Sequence, residues 1–543
     1  IDWNDGALAF RDIMNIPYGS ENIKDLVNYR IVMNFASMAS NPYHTTADNI
    51  KKVYLATDGL PQAVMLKGYG NEGHDSANSE YADIAEREGG VEDFQELIKI
   101  AHDYNTEIGI HVNAQEAYPE AASFNEEMLQ KPFSNGWGWL DQSQVIDKLW
   151  DLSSQARWKR FVQLYDRING TDFYSRKWPD AVENSLGEVN ATKEEIKKDA
   201  ESREDNMDFI YLDVWYQDAW ETRQIADEIN SLGWRFSTEF SAEGEYDSTW
   251  QHWSTDAAYG GATSKGYNSD IIRFIRNDQR DSQVLNYPQF GGTADNPLLG
   301  GYRLYGFEGW GGDKDYDNYI LQTFNQNLPT KFLQHYYVTD WENYEEGESP
   351  VGNHEKQITL RNDSGDEVVV TRNEEQRSDD NIERTITLNG KKVLDDVTYL
   401  LPWTDNQDGS EKLYYWNLDG GQTTWELPDG WEGLANVVMY ELSDQGRINE
   451  TSVAVSGNSV TLDAKAYVLV KGDAAGVKEL ANDFGEYDYV TDPGFNGYAA
   501  GEKLSADEWS GDINDDAVVV EKADTGDQRL AFNSPLDGVS VTT

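Results

Sequence analysis

The 543-residue chain contains no cysteine, which excludes disulfides and thiol chemistry. It is also short of basic residues. Only 44 Lys and Arg stand against 98 Asp and Glu, for a formal net charge of −54. That balance excludes a nucleic-acid partner, whose phosphates need a basic surface, and an anionic lipid surface. A neutral ligand such as a carbohydrate is compatible with it. No apolar run reaches about 18 residues, so no segment has the pattern of a membrane-spanning helix. The chain opens at Ile1 rather than Met and reads as a mature or excised fragment.

Aromatic residues are abundant. Eighteen Trp and 31 Tyr can fill a large core and leave rings for the surface. Over the first 342 residues, short apolar strands alternate with amphipathic helices. AVMLKGY (Ala63–Tyr69), EIGIHVNA (Glu107–Ala114), DFIYLDVW (Asp208–Trp215) and RFSTEF (Arg235–Phe240) read as strands. Val91–Tyr104 and Ala219–Leu232 read as helices, the second stopped by Gly233. This rhythm and length predict a (β/α)8 TIM-like barrel over 1–342. A polar, charged stretch at about 164–206 breaks the rhythm and reads as a solvated insertion, with a lid or substrate rim as the functional alternative. Short strands separated by Gly, Asp and Asn turns predict an all-β sandwich over 343–473. A short additional β-rich segment spans 474–543.

Alternation places Ile210, Leu212 and Val214 on one face of their strand, and Phe209, Tyr211, Asp213 and Trp215 on the other. In a barrel, Asp213 then points inward at the C-terminal end, where barrel enzymes carry their chemistry. Its bland alternative is a structural Asp bonded to loop amides. Glu239 ends the next strand, so the two carboxyls can face each other, the minimal equipment for glycoside cleavage. Glu243 and Glu245 compete with Glu239 but sit in the following loop. GYGNEGHDSAN lacks the Gly-Lys-Ser/Thr of a phosphate loop, and its flanks are acidic. Its His74, Asp75 and Asn78 suit hydroxyl binding. His74 and Asp75 find no third ligand at a convincing spacing, so no metal site is assigned. His111 and Asn113 point polar atoms at the same mouth. Trp137 and Trp139 lie in a glycine-flanked loop suited to a sugar-stacking clamp.

Taken in order, KGYGNEGHDS, HVNAQEAYPE, GWGWLDQ, IYLDVW, EFSAEGEYDSTWQHW, YGG and PLLGGYRLYGFEGW resemble the endo-α-N-acetylgalactosaminidases of glycoside hydrolase family 101. The resemblance runs from about Trp3 to at least Gly472. It implies a secreted bacterial enzyme that releases Galβ1-3GalNAc from Ser or Thr of mucin-type glycoproteins with retention. It implies Asp213 as nucleophile and Glu239 as acid/base. Asp75, Asn78, Asn113, Trp137 and Trp139 fall at substrate-binding positions. Two departures touch the galactose subsite. Asp75-Ser76-Ala77-Asn78 replaces the family's Asp-Ser-Gly-His, and Gly311 follows Trp310 where the family has Gln. They leave open a different O-glycan core, or GalNAc alone. A non-catalytic mucin binder is a less favoured reading, and a transferase on the same scaffold is another. An extracellular protein needing no cofactor is expected. Asp- and Asn-rich loops leave room for structural Ca2+, without EF-hand spacing.

The chemistry of the substrate class argues for a protein nucleophile. In an α-linked GalNAc the 2-acetamido group is cis to the leaving oxygen and cannot attack from behind. A carboxylate must do so, with a carboxyl separation near the retaining value of about 5–5.5 Å. The acid partner should rest protonated, its pKa raised by burial and by the neighbouring charge.

Overall fold

The computed structural model describes the chain except for residues 36–39, 78, 139–140, 178–185, 216, 241–243, 245, 254–269, 283–296, 302–305, 310–313, 346–347, 349–354, 374–382, 464–466, 473–497, 500, 505–509, 512–517, 523–527, 533–540 and 543. Seven strands form one parallel sheet in chain order: β1 (Asn28–Met33), β2 (Gln62–Lys67), β3 (Thr106–Asn113), β4 (Phe209–Asp213), β5 (Arg235–Phe240), β6 (Trp250–Trp253) and β7 (Asp281–Ser282). Every neighbouring pair is parallel. Crossovers α1 (Tyr43–Ala56), α2 (Gly90–Asp103), α3 (Ala156–Asn169), α4 (Lys193–Ala200) and α5 (Ala219–Ser231) run between the strands. Among the described residues the sheet has seven strands, not the eight of the expected barrel. At its first edge, the Met33 N–H donates to the Glu308 carbonyl at 3.0 Å, so the chain beyond β7 returns to β1.

The period-two pattern of the strands decides what each face meets. Val64, Leu66, Ile108, Ile110, Val112, Ile210, Leu212 and Phe236 pack against the helices. The helices meet them with stripes such as Phe94, Leu97, Ile98 and Ala101 of α2, all fully buried. Each such residue contributes about 1.5–3 kcal/mol on removal from water. On the opposite face Tyr29, Ala63, Met65, Phe209, Tyr211 and Trp250 form a separate inner core. Trp215 departs from the expected alternation. It joins the helix-side core, its indole N–H bonded to Thr222 Oγ1 at 2.8 Å. The strand has ended at Asp213, and Val214 takes φ +50, which turns the next side chain to the opposite face.

The reading of 164–206 as a solvated insertion needs correction for its described part. Leu164, Tyr165 and Ile168 are buried in α3, and Ile196 and Ala200 in α4, all within the helix-side core. Its charges serve as internal caps and ties. Asp166 accepts from the Phe173 and Tyr174 backbone N–H groups, and Asp199 binds Tyr165 and Arg203.

From Tyr337 onward the named elements among the described residues are all strands. Ten strands, from Tyr337–Asn343 to Tyr467–Lys471, form one sheet in which all pairings are antiparallel. Thr423–Glu426 and Ser459–Leu462 pair across one face, over a core of Leu413, Trp425, Leu427 and Val460. Beyond residue 474 the described residues form short antiparallel pairs, Ser510–Gly511 with Val541–Thr542 and Val518–Lys522 with Gln528–Phe532. The sandwich docks on the α/β unit through buried charge. Lys412 Nζ binds Asp58 Oδ2 and Asp405 Oδ2, each at 3.0 Å, and Arg447 grips both Asp58 oxygens.

Candidate active site

Parallel pairing sets the site's geometry. Asn113 lies opposite Asp213 and Leu212 opposite Thr238, so Asp213 and Glu239 are neighbours on the inner face at the strands' C-terminal ends. Their carboxyls interact by charge and by hydrogen bonding, each shifting the other's pKa. Glu239 Oε2 also accepts from the Val214 N–H at 2.9 Å, an amide aimed by that residue's φ of +50. A β-branched residue seldom takes this conformation, so the turn stores strain beside the two carboxyls.

The environments drive the two groups apart. Burial pushes Glu239 up, and the Asp213 charge and its hydrogen bond push further, to about 9. Burial alone would raise Asp213 too, but Lys67 and His111, with the bond from Glu239, hold it well below the usual carboxylate range. One buried carboxyl is thus ionised while its neighbour carries a proton, the division that acid/base pairs depend on.

Several neighbours complete the cluster. His111 Nε2 stands 2.8 Å from Asp213 Oδ2, and its ring lies over Tyr211 and edge-on to His74. Burial, then Lys67 and His111, hold His74 well below the usual histidine value, so it stays neutral. His74 Nε2 is 3.2 Å from Asp75 Oδ1. Gly68 makes this approach possible. Its φ is +90, and a Cβ there would lie 2.0 Å from the Asn34 carbonyl oxygen. His74, His111 and Asp213 also bring three ligand-type atoms within 4.8 Å of one another, so they are able to hold a metal ion. Sequence spacing hid this grouping, because the third ligand comes from a distant strand.

Asp75 and Trp137 meet as well. The Trp137 indole N–H donates to Asp75 Oδ2 at 2.9 Å, and the ring is 54% exposed. Its glycine-flanked loop is a small antiparallel hairpin, Asn135–Gly138 with Gln142–Val145. Asn113 serves that hairpin. Its amide donates to Glu116 Oε2 at 2.9 Å, and the buried Glu116 accepts from the Trp137 N–H and Ser143 Oγ. Asn78, Trp139, Gly311, Glu243 and Glu245 lie outside the described residues. Sequence reasoning missed Lys67 and Glu116. Lys67 closes AVMLK, and its strand-end position was the available signal. Glu116 carried none, since its partners lie 3 to 27 positions away.

Comparisons with known proteins agree along the chain. The family model "Endo-alpha-N-acetylgalactosaminidase" matches residues 4–180 and 179–320, running through the stretch read as an insertion. "Glycosyl hydrolase 101 beta sandwich domain" matches 326–448. A Renibacterium salmoninarum protein named "Putative endo-alpha-N-acetylgalactosaminidase" is 32% identical over 510 residues, which cover 91% of this chain and 29% of that protein. The chain thus spans under a third of this relative's length. Among solved structures, the α-N-acetylgalactosaminidase NagBb from Bifidobacterium bifidum with GalNAc superposes at TM-score 0.45, with 11% identity, over 68% of this chain and 62% of its own. An α-amylase from Lactobacillus plantarum superposes at TM-score 0.38, with 10% identity, over 83% of this chain and 99% of its own.

Proposed function

Since the chain belongs to the endo-α-N-acetylgalactosaminidase family, glycoside hydrolase family 101, we propose that it is a retaining, endo-acting glycoside hydrolase. Its substrate in this reading is α-linked Galβ1-3GalNAc on Ser or Thr of mucin-type glycoproteins, which places the protein outside the cell. The Asp213–Glu239 pair carries the proposal: two contacting carboxyls in opposite protonation states at adjacent strand ends. Such close pairing favours the retaining arrangement over the inverting one, whose carboxyls stand about 6.5–9.5 Å apart with water between them.

Asp213 attacks the anomeric carbon from the face opposite the leaving oxygen. The glycosidic bond breaks as the Glu239 proton passes to the Ser or Thr oxygen. Esterification consumes the Asp213 charge, one of the causes that raise Glu239, so Glu239 is then fitted to take a proton from water. That water attacks the same carbon and releases Asp213 with net retention. The exposed Trp137 face stacks on the sugar, and Asp75 accepts from its hydroxyls. The chemistry needs no cofactor. The Met33–Glu308 bond supports closure of the sheet into the (β/α)8 barrel.

The test compares Galβ1-3GalNAcα-aryl and GalNAcα-aryl substrates. Wild type is expected to release the disaccharide with the α anomer formed first, and Asp213→Asn to lose a factor on the order of 10^4 or more in kcat. Release of GalNAc alone, or a β product, would sink the endo-acting retaining reading.

A further inference from the structure

His44 lies in the first turn of α1. Asp93 and Glu96 lie three residues apart near the start of α2, on one side of that helix. His44 Nε2 is 2.9 Å from Glu96 Oε2 and 3.6 Å from Asp93 Oδ1. The imidazole is 4% exposed, while both carboxylates reach an open hollow of about 660 Å3 that Glu92, Gln95, Lys99 and Asp205 also line. The three ligand-type atoms lie within 4.8 Å of one another.

We propose that His44, Asp93 and Glu96 bind a Zn2+-type transition-metal ion that clamps α1 to α2. Around a tetrahedral ion with bonds of about 2.0–2.2 Å, ligand atoms stand roughly 3.3 Å apart. The observed 2.9 and 3.6 Å from His44 bracket that edge, and the Asp93 and Glu96 oxygens lie within 4.8 Å of each other, so small side-chain rotations close the site. One imidazole nitrogen with two carboxylate oxygens is a zinc donor set. Ca2+ takes oxygen ligands alone, and Mg2+ keeps most of its water. The hollow gives the ion an entry path and leaves its fourth position to water. The site lies on the helix layer, its hollow lined by none of the residues around Asp213 and Glu239, and its role is structural.

Chelator-stripped protein titrated with ZnCl2 in a calorimeter tests the assignment. Saturable binding and a higher Tm with zinc are expected. Glu96→Gln and Asp93→Asn should each weaken binding at least roughly ten-fold while keeping the Tm that wild type shows in EDTA. An anomalous signal at the zinc edge should lie between the three side chains. No saturable binding would overturn the proposal. So would binding untouched by both substitutions, the result if His74, His111 and Asp213 held the ion instead. Ca2+ binding as tightly as Zn2+ would remove His44 as a ligand.

Discussion

Asp213 and Glu239 are the same functional group placed in two different fields. Lys67 and His111 stand by Asp213, whereas Glu239 has the Asp213 charge as its neighbour. Their opposite ionisation sets the expected pH dependence. In the proposed mechanism Glu239 must be protonated to assist departure of the Ser or Thr oxygen, so kcat/KM should fall as pH rises through about 9. Asp213 is ionised well below neutrality, which leaves the low-pH limb far to the acid side. Glu239→Gln should abolish the alkaline limb and cost about 10^2–10^4 in kcat/KM on a glycopeptide, with a smaller loss on an aryl glycoside whose leaving group needs no proton. An alkaline limb that survives Glu239→Gln would remove this residue as the acid. Strand alternation made Asp213 and Glu239 legible, because both positions follow from local pattern alone. Lys67 was only faintly legible. Its strand-end position was the one signal, while its importance lies in charges from β3, β4 and β5 that AVMLK does not reveal.

At the scale of elements, the hairpin carrying Trp137 depends on the space beneath it. A Cβ on Gly136 would lie 2.4 Å from both Glu116 Cδ and Ser143 Oγ, and both are held by the same buried hydrogen bonds. Gly136→Ala must therefore displace the hairpin or the Glu116 carboxylate. Either movement breaks the path from Asn113 through Glu116 to the Trp137 backbone, and with it the aim of the ring toward Asp75. The expected result is a KM rise of roughly ten-fold with kcat nearly unchanged, and about 1–3 kcal/mol of lost stability. Steady-state kinetics beside thermal unfolding checks both. A fall in kcat at constant KM would show instead that the hairpin acts on the chemical step. The four strands and two helices read from their periods in the α/β unit end within two residues of those observed, whereas β1, α1 and α3 were not read. The stretch at 164–206 failed because its polar residues bond inward. Asp166 and Asp199 look solvated in sequence, but they tie α3 to the segment leading into α4 and to α4 itself.

At the scale of the whole molecule, the sandwich is joined to the α/β unit by charges withdrawn from water. Asp58, 1% exposed at the end of α1, receives Lys412 and Arg447 from two sandwich strands, and Lys412 also serves Asp405. The Tyr414 hydroxyl adds a bond to the Thr57 carbonyl at 2.8 Å. None of this is visible in sequence, because the partners stand some 350 to 390 residues apart. Such a network contributes little relative to a well-packed apolar contact, but breaking one member strands a buried charge. Lys412→Met removes a cation from Asp58 across the junction and from Asp405, 1% and 4% exposed. The expected cost is about 3–5 kcal/mol. Lys356→Met, which removes only the half-exposed pair with Glu342, should leave the unfolding transition nearly unmoved. The location of the damage matters more than its size. Because Asp58 belongs to one unit and Lys412 to the other, the loss falls on the contact between them. Calorimetry of wild type should give one unfolding transition, and Lys412→Met should split it into two as the units uncouple. A single transition merely shifted downward would place the energy of Lys412 inside the sandwich rather than at the junction.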